Sequence, residues 1–147
     1  MRGKLIEDLK VQQVHSASAF TATAMTFGSG SIDTQGYKEM LVVVNLGDIL
    51  STTTLACKLY ENSADDFTTA VPVTGGVLLS AGTSTTDQTQ LLGNVLTTQR
   101  KRYMWVGAMS SGGSAASETS SAHIGVDVIL GKGTSNPQTQ TTTIDLE

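Results

Sequence analysis

Between Gly36 and Leu79, two strongly strand-forming segments flank an acidic turn, and this arrangement constrains the fold more than any other feature of the chain. Gly36-Tyr-Lys-Glu-Met-Leu-Val-Val-Val-Asn-Leu-Gly47 ends in a β-branched apolar block, whose stiff side chains suit a pleated sheet better than a helix. Leu55-Ala-Cys-Lys-Leu-Tyr60 then alternates inward and outward side chains, and Glu61-Asn-Ser-Ala-Asp-Asp66 supplies the residues that turn a chain. The unbroken apolar run from Met40 to Val44 predicts a central strand covered on both faces, followed by a loop at Gly47 and Asp48.

The same texture extends along the chain. Phe20-Thr-Ala-Thr-Ala-Met-Thr-Phe27 alternates with a slip near Met25, as a bulge would require. Strands are also predicted around Phe67 to Val73, at Val77 to Leu79 after the Gly75-Gly76 break, and across Gln88 to Leu96, Tyr103 to Met109 and His123 to Leu130. Ser and Thr form about a quarter of the 147 residues, with fifteen glycines, and no amphipathic helix longer than three turns is visible. Punctuation every 8 to 12 residues or so is the habit of sandwiches and barrels. The predicted fold is all-β, an antiparallel β-sandwich of jelly-roll type with roughly eight strands. Residues 1–16 form an N-terminal arm or edge strand, 17–131 the sandwich, and 132–147 a polar C-terminal arm that needs a partner to order it. The loop from Ser110 to Ser117, rich in Ser, Gly and Ala, has little reason to be rigid.

Composition then narrows the function. A net charge of −4 offers no broad basic face for a phosphate backbone, which argues against nucleic acid as a partner. No apolar run reaches the roughly 20 residues that cross a bilayer, and the opening residues lead into Glu7 and Asp8, so no membrane association and synthesis in a cytoplasm are expected. Cys57 alternates with Leu55 and Leu59 and reads as a small buried apolar residue. His15 and His123 lie in no nucleophile or base motif, so no catalytic residue, small-molecule substrate or cofactor is assigned and the chain is expected not to be an enzyme. Gly131-Lys-Gly-Thr134 departs from a phosphate loop both in glycine spacing and in having Gly133 where a hydroxyl belongs. Glu61, Asp65 and Asp66 lack the spacing of a calcium loop and read as a hairpin turn bonded to its own backbone.

Arg100-Lys-Arg102, just before Tyr103, is the basic cluster of the chain. Arg100, Lys101, Arg102 and Tyr103 are therefore the candidate protein-interface residues, suited to an acidic partner surface. Period two puts Tyr103 and Trp105 on one face of their strand and Met104 and Val106 on the other, with core packing the assignment for Trp105.

Leu41-Val-Val-Val-Asn-Leu-Gly47, Leu55-Ala-Cys-Lys-Leu-Tyr-Glu-Asn-Ser-Ala-Asp-Asp-Phe67, Arg102-Tyr-Met-Trp-Val106 and Val126-Asp-Val-Ile-Leu-Gly131, in that order, resemble small virion proteins of tailed bacteriophages. In particular they are similar to capsid decoration, or cement, proteins and related head-surface proteins. The resemblance spans about Gly36 to Gly131 and lies in strand texture. It implies a homotrimer on the capsid surface of the virion that clamps neighbouring copies of the major capsid protein. Two further readings stand beside it: another phage part from the tail, neck or head spike, and a carbohydrate-binding sandwich using Trp105, Tyr103, Tyr60 and Tyr37.

Overall fold

The computed structural model describes residues 9–20, 25–27, 30–49, 53–83, 85, 88–111 and 122–131. Residues 1–8 of the expected N-terminal arm at 1–16, the expected C-terminal arm at 132–147, and most of the predicted loop after Ser110 lie outside the described residues. The strands are β1 (Lys10–Phe20), β2 (Thr26–Phe27), β3 (Ile32–Asp33), β4 (Glu39–Ile49), β5 (Thr54–Asn62), β6 (Val71–Gly82), β7 (Gln90–Leu96), β8 (Tyr103–Ser111) and β9 (Ala122–Gly131), with single 3₁₀ turns at Phe67–Thr69 and Thr97–Gln99.

Two antiparallel sheets result, one ordered β1-β9-β4-β7 and the other β2-β8-β5-β6, with β3 also paired to β8. With β2 and β3 sharing one position, this interleaved order is the jelly roll, and the all-β sandwich stands as the sequence predicts. The register explains why the sheets close on each other. Met40, Val42 and Val44 face Leu130, Val128 and Val126 across β4 and β9, and all six are buried. Leu59 faces Val106 and Cys57 faces Ala108 across β5 and β8, so the two inner faces meet as one apolar core. Burying each large aliphatic side chain contributes about 1.5–3 kcal/mol, and side-chain period two ensures that a one-residue slip would turn the whole set outward.

Four sequence expectations need correction. The loop at Gly47 and Asp48 is strand: β4 runs on to Ile49 by taking an irregularity between Leu46 and Ile49, which absorbs the glycine without ending the ladder. The break at Gly75-Gly76 is likewise inside a strand, because β6 lies at a sheet edge where Pro72 costs no interior hydrogen bond and extra residues bulge away from β5. The segment from Phe20 to Phe27 is not one strand. Phe20 pairs with Ala122 in one sheet and Phe27 with Gly107 in the other, so the chain changes sheets between them. Finally, the strand buried on both faces is β8, where every residue from Met104 to Ala108 is buried; β4 alternates, with Leu41 and Val43 only half-buried. β4 and β8 are both interior strands of their sheets, so the difference lies in the outer face, which is partly exposed along β4 and closed over along β8.

Lys10–Phe20 forms the edge strand of the first sheet, running across the expected boundary at residue 16. Its register with β9 shifts around His15, which allows Val14 to be buried while the His15 Nε2–H donates to the Val106 carbonyl of the opposite sheet at 3.3 Å.

Candidate protein-interaction surface

The 3₁₀ turn at Thr97–Gln99 is held by the Thr97 hydroxyl, which donates to the Tyr37 carbonyl at 2.6 Å, and by the Arg100 N–H donating to the Thr97 carbonyl at 3.0 Å. The turn delivers the basic cluster to the start of β8, where its members separate. Arg102 grips Asp33 through two bonds, Nε to Oδ1 at 3.0 Å and Nη2 to Oδ2 at 2.8 Å, and its guanidinium lies 4.8 Å from the Tyr103 ring centre. The guanidinium hydrogen bond holds the Asp33 carboxyl below the usual carboxylate range. Thr34 fixes the same corner, its N–H and hydroxyl both donating to the Arg102 carbonyl at 2.9 and 2.7 Å. Arg102 and half-buried Tyr103 therefore pin the Asp33 turn to β8. Lys101 is exposed, with its backbone N–H donating to Glu61 Oε2 at 3.2 Å. Arg100 is half-buried, and among the described residues neither it nor Lys101 has a charged side-chain partner.

Arg100 also lines a groove of about 370 Å³ on the open side of the sandwich, where edge strands β6 and β7 approach without pairing. Leu59, Val73, Val77, Leu78, Leu92, Val95 and Leu96 supply its apolar lining. The glycines that shape it are forced: Gly75 has φ +75°, and a Cβ on Gly76 would stand 2.8 Å from Val73 Cβ and 3.0 Å from Leu59 Cβ. On the β7 side, a Cβ on Gly93 would lie 2.5 Å from Leu78 Cδ2, so Leu78 seats itself over that glycine.

A second surface is the outer face of the first sheet. Cross-strand register places Val11 beside Ile129 and Ile129 beside Leu41, while Val43 lies beside Leu92. Val11 is 64%, Leu92 65% and Leu96 53% exposed, and no described element covers them. Apolar side chains gathered in this way on a sheet face mark an interaction surface more often than scattered ones do.

The remaining sequence candidates are occupied. Asp66 caps the Phe67–Thr69 turn, accepting from the Thr68 N–H at 2.9 Å and the Thr68 hydroxyl at 2.7 Å, bonds that lower its pKa. Buried Asn62 ties the hairpin from inside, its amide donating to the Asp66 carbonyl at 2.6 Å and to Thr69 Oγ1 at 2.8 Å. Among the described residues, no three His, Cys, Asp or Glu side chains gather as a metal site. Trp105 is 3% and Tyr37 6% exposed, which removes two of the four aromatics a sugar platform would use. Trp105 is buried on the outer side of its sheet, opposite Met104 and Val106 and beside Tyr60 on β5. The sequence reading missed the groove because two edges distant in the chain create it. Its only local sign is the Gly75-Gly76 pair together with the uncharged run Gln90-Leu-Leu-Gly-Asn-Val-Leu96.

No protein-family model matches the chain, and no curated protein matches it. Solved structures do. A structure of the Gx strain of infectious bursal disease virus superposes with a TM-score of 0.62 at 12% identity, over 88% of this chain and 33% of that one. The VP2 subviral particle of infectious bursal disease virus gives 0.58 at 12% identity, over 88% and 34%. The T13 particle of the same virus gives 0.52 at 11% identity, over 86% and 32%. What is shared is the fold. The chain spans about a third of the length of these viral chains.

Proposed function

We propose that the protein is a non-enzymatic structural component of a virion. Its specific role, on this reading, is that of a decoration or cement protein: a homotrimer that binds the outside of an assembled phage head and clamps adjacent major capsid proteins. One observation carries the virion reading. The β1-β9-β4-β7 and β2-β8-β5-β6 sheets superpose on chains of infectious bursal disease virus structures, among them a subviral particle. The uncovered apolar outer face with Val11, Leu92 and Leu96 supplies the contact surface such a role needs. The physical logic is linkage. A protein that binds the assembled lattice and not its free subunits stabilises the assembled state, by about 2.7 kcal/mol per site at a hundred times its Kd. Three linked copies then convert weak contacts into strong attachment.

Purified protein mixed with undecorated capsids should sediment with them at a fixed stoichiometry, and its mass in solution should be that of a trimer. Absence of stoichiometric binding removes the decoration role. A second reading, a tail, neck or head-spike component, rests on the same shared fold and is separated from the first by labelling the protein in intact virions.

A further inference from the structure

An exposed strand edge presents unpaired N–H and C=O groups, and proteins ordinarily blunt such edges with charge, proline, bulges or short length. Three of the four sheet edges here carry such a device: register shifts with Lys10 on β1, Pro72 and register shifts on β6, and two-residue strands at β2 and β3. β7 carries none. Its Gln90–Leu96 run has no charge and no proline and pairs with β4 over seven positions without a shift. The Leu46 N–H donates to the Thr89 carbonyl at 2.8 Å and the Thr97 N–H to the Lys38 carbonyl at 3.0 Å, so the odd-numbered residues of β7 turn their backbone groups to β4. The alternation of an antiparallel ladder then aims the N–H and C=O groups of Gln90, Leu92, Asn94 and Leu96 outward, where no described strand meets them. These four residues are also the exposed ones of the strand.

We propose that the free edge of β7 pairs with β7 of a second copy of this chain, antiparallel about a two-fold axis at Gly93, so that the first sheets of the two copies join as one. A two-fold pair needs a patch complementary to itself, and the edge is so in three respects. The first is register. An axis at Gly93 sets Leu92 opposite Asn94 of the second copy and Gln90 opposite Leu96, and all four have outward backbone groups, so each pair exchanges two hydrogen bonds. Gly93 then meets its own counterpart at a non-hydrogen-bonded position, where strands approach most closely. The second is charge. Arg100 and Lys101 follow the C-terminal end of β7, where Lys38 and Glu39 offset each other and Glu61 accepts from the Lys101 N–H, which leaves that end net positive. Asp48 lies beside the N-terminal end, accepting from Gln88 Nε2 at 2.9 Å. Antiparallel pairing brings the basic end of each copy to the acidic end of the other, and the uncharged strand between sets no like charges together. The third is apolar surface. Leu92 and Leu96, 65% and 53% exposed, gather with their counterparts on the outer face of the joined sheet. The added strand also lies along the mouth of the groove, whose β6 wall holds Val77 at 52% exposure. The proposal goes beyond the virion reading and does not depend on it: the contact doubles whatever particle the chain forms, one copy to two or a trimer to six, and capsid binding does not enter the measurement.

Sedimentation and residue-resolved amide hydrogen exchange on the full chain test it together. As protein concentration rises the mass should double, and the Gln90, Leu92, Asn94 and Leu96 amides should exchange about tenfold more slowly, with the Val42 and Val44 amides of β4 as the folding control. Leu92→Lys with Asn94→Lys sets like charges opposite each other across the axis and should abolish both changes. Leu92→Lys with Asn94→Asp sets opposite charges there and should keep both. A mass that never doubles, or rapid exchange of the four amides at every concentration, overturns the proposal. So does protection that persists in the undoubled particle, which assigns the edge to cover from within it, and so does an equal loss of association in the two variants, which rules out the Gly93 register.

Discussion

Cys57 lies at full burial between Leu55 and Leu59 on β5, and that burial pushes its thiol up to about 12. The thiolate is the reactive form, so a thiol reagent should leave Cys57 untouched in the folded protein and label it at the rate of unfolding. His15 behaves in the opposite sense. Burial outweighs its bond to the Val106 carbonyl and lowers its pKa from 6.5, so below that value the unfolded chain takes up a proton that the folded chain resists. Stability should therefore fall as the pH drops through 6.5 towards the lower folded value, and His15→Gln should flatten the change in denaturant midpoint over that window. Two glycines give a sharper contrast. A Cβ at Gly76 meets the Cβ atoms of Val73 and Leu59 and the Val73 carbonyl, groups that cannot step aside, whereas at Gly93 it meets chiefly the mobile end of Leu78. Gly76→Ala should cost about 1–3 kcal/mol in chemical unfolding, and Gly93→Ala less, because Leu78 can change rotamer. Cys57 was legible in the sequence from its alternation with two leucines. The enclosure of Trp105 on the outer side of its sheet was not, since cross-strand neighbours decide it.

At the scale of the strand, alternation identified β5, β8 and β9 directly, because their inward residues repeat with period two. Strand ends were less legible. Gly47 and Gly75-Gly76 read locally as breaks, yet a ladder already committed on one side carries the chain through them as bulges. The basic cluster shows the same limit: its three residues are contiguous, but Arg102 is claimed by Asp33 from a distant segment while Arg100 goes to the groove. The outer face of the first sheet can be tested without disturbing the core. Leu92→Ser with Leu96→Ser removes exposed apolar groups, so unfolding stability should move by no more than about 0.5 kcal/mol per site. Self-association or attachment to a capsid should weaken in the same variant, read by sedimentation.

Across the whole molecule, the jelly roll joins the start of the described chain to its end, with β1 paired to β9, so its stabilising contacts close long loops. Such topology folds slowly, and refolding from denaturant should relax in milliseconds to seconds by stopped-flow fluorescence of Trp105, which folding carries from solvent to a buried site. The two interaction surfaces have different origins. The outer sheet face is a property of single strands laid side by side, whereas the groove exists only because the edge strands of the two sheets face each other across the open side of the sandwich.

Local pattern alone determined the all-β class, the burial of Cys57 and the acidic hairpin turn, because side-chain period and turn chemistry act over a few neighbouring residues. Tertiary structure decided which strands lie at an edge, which basic side chains keep a free charge and where the groove opens. These depend on pairing between segments far apart in the chain, and a linear pattern carries no record of which strand becomes the neighbour of which.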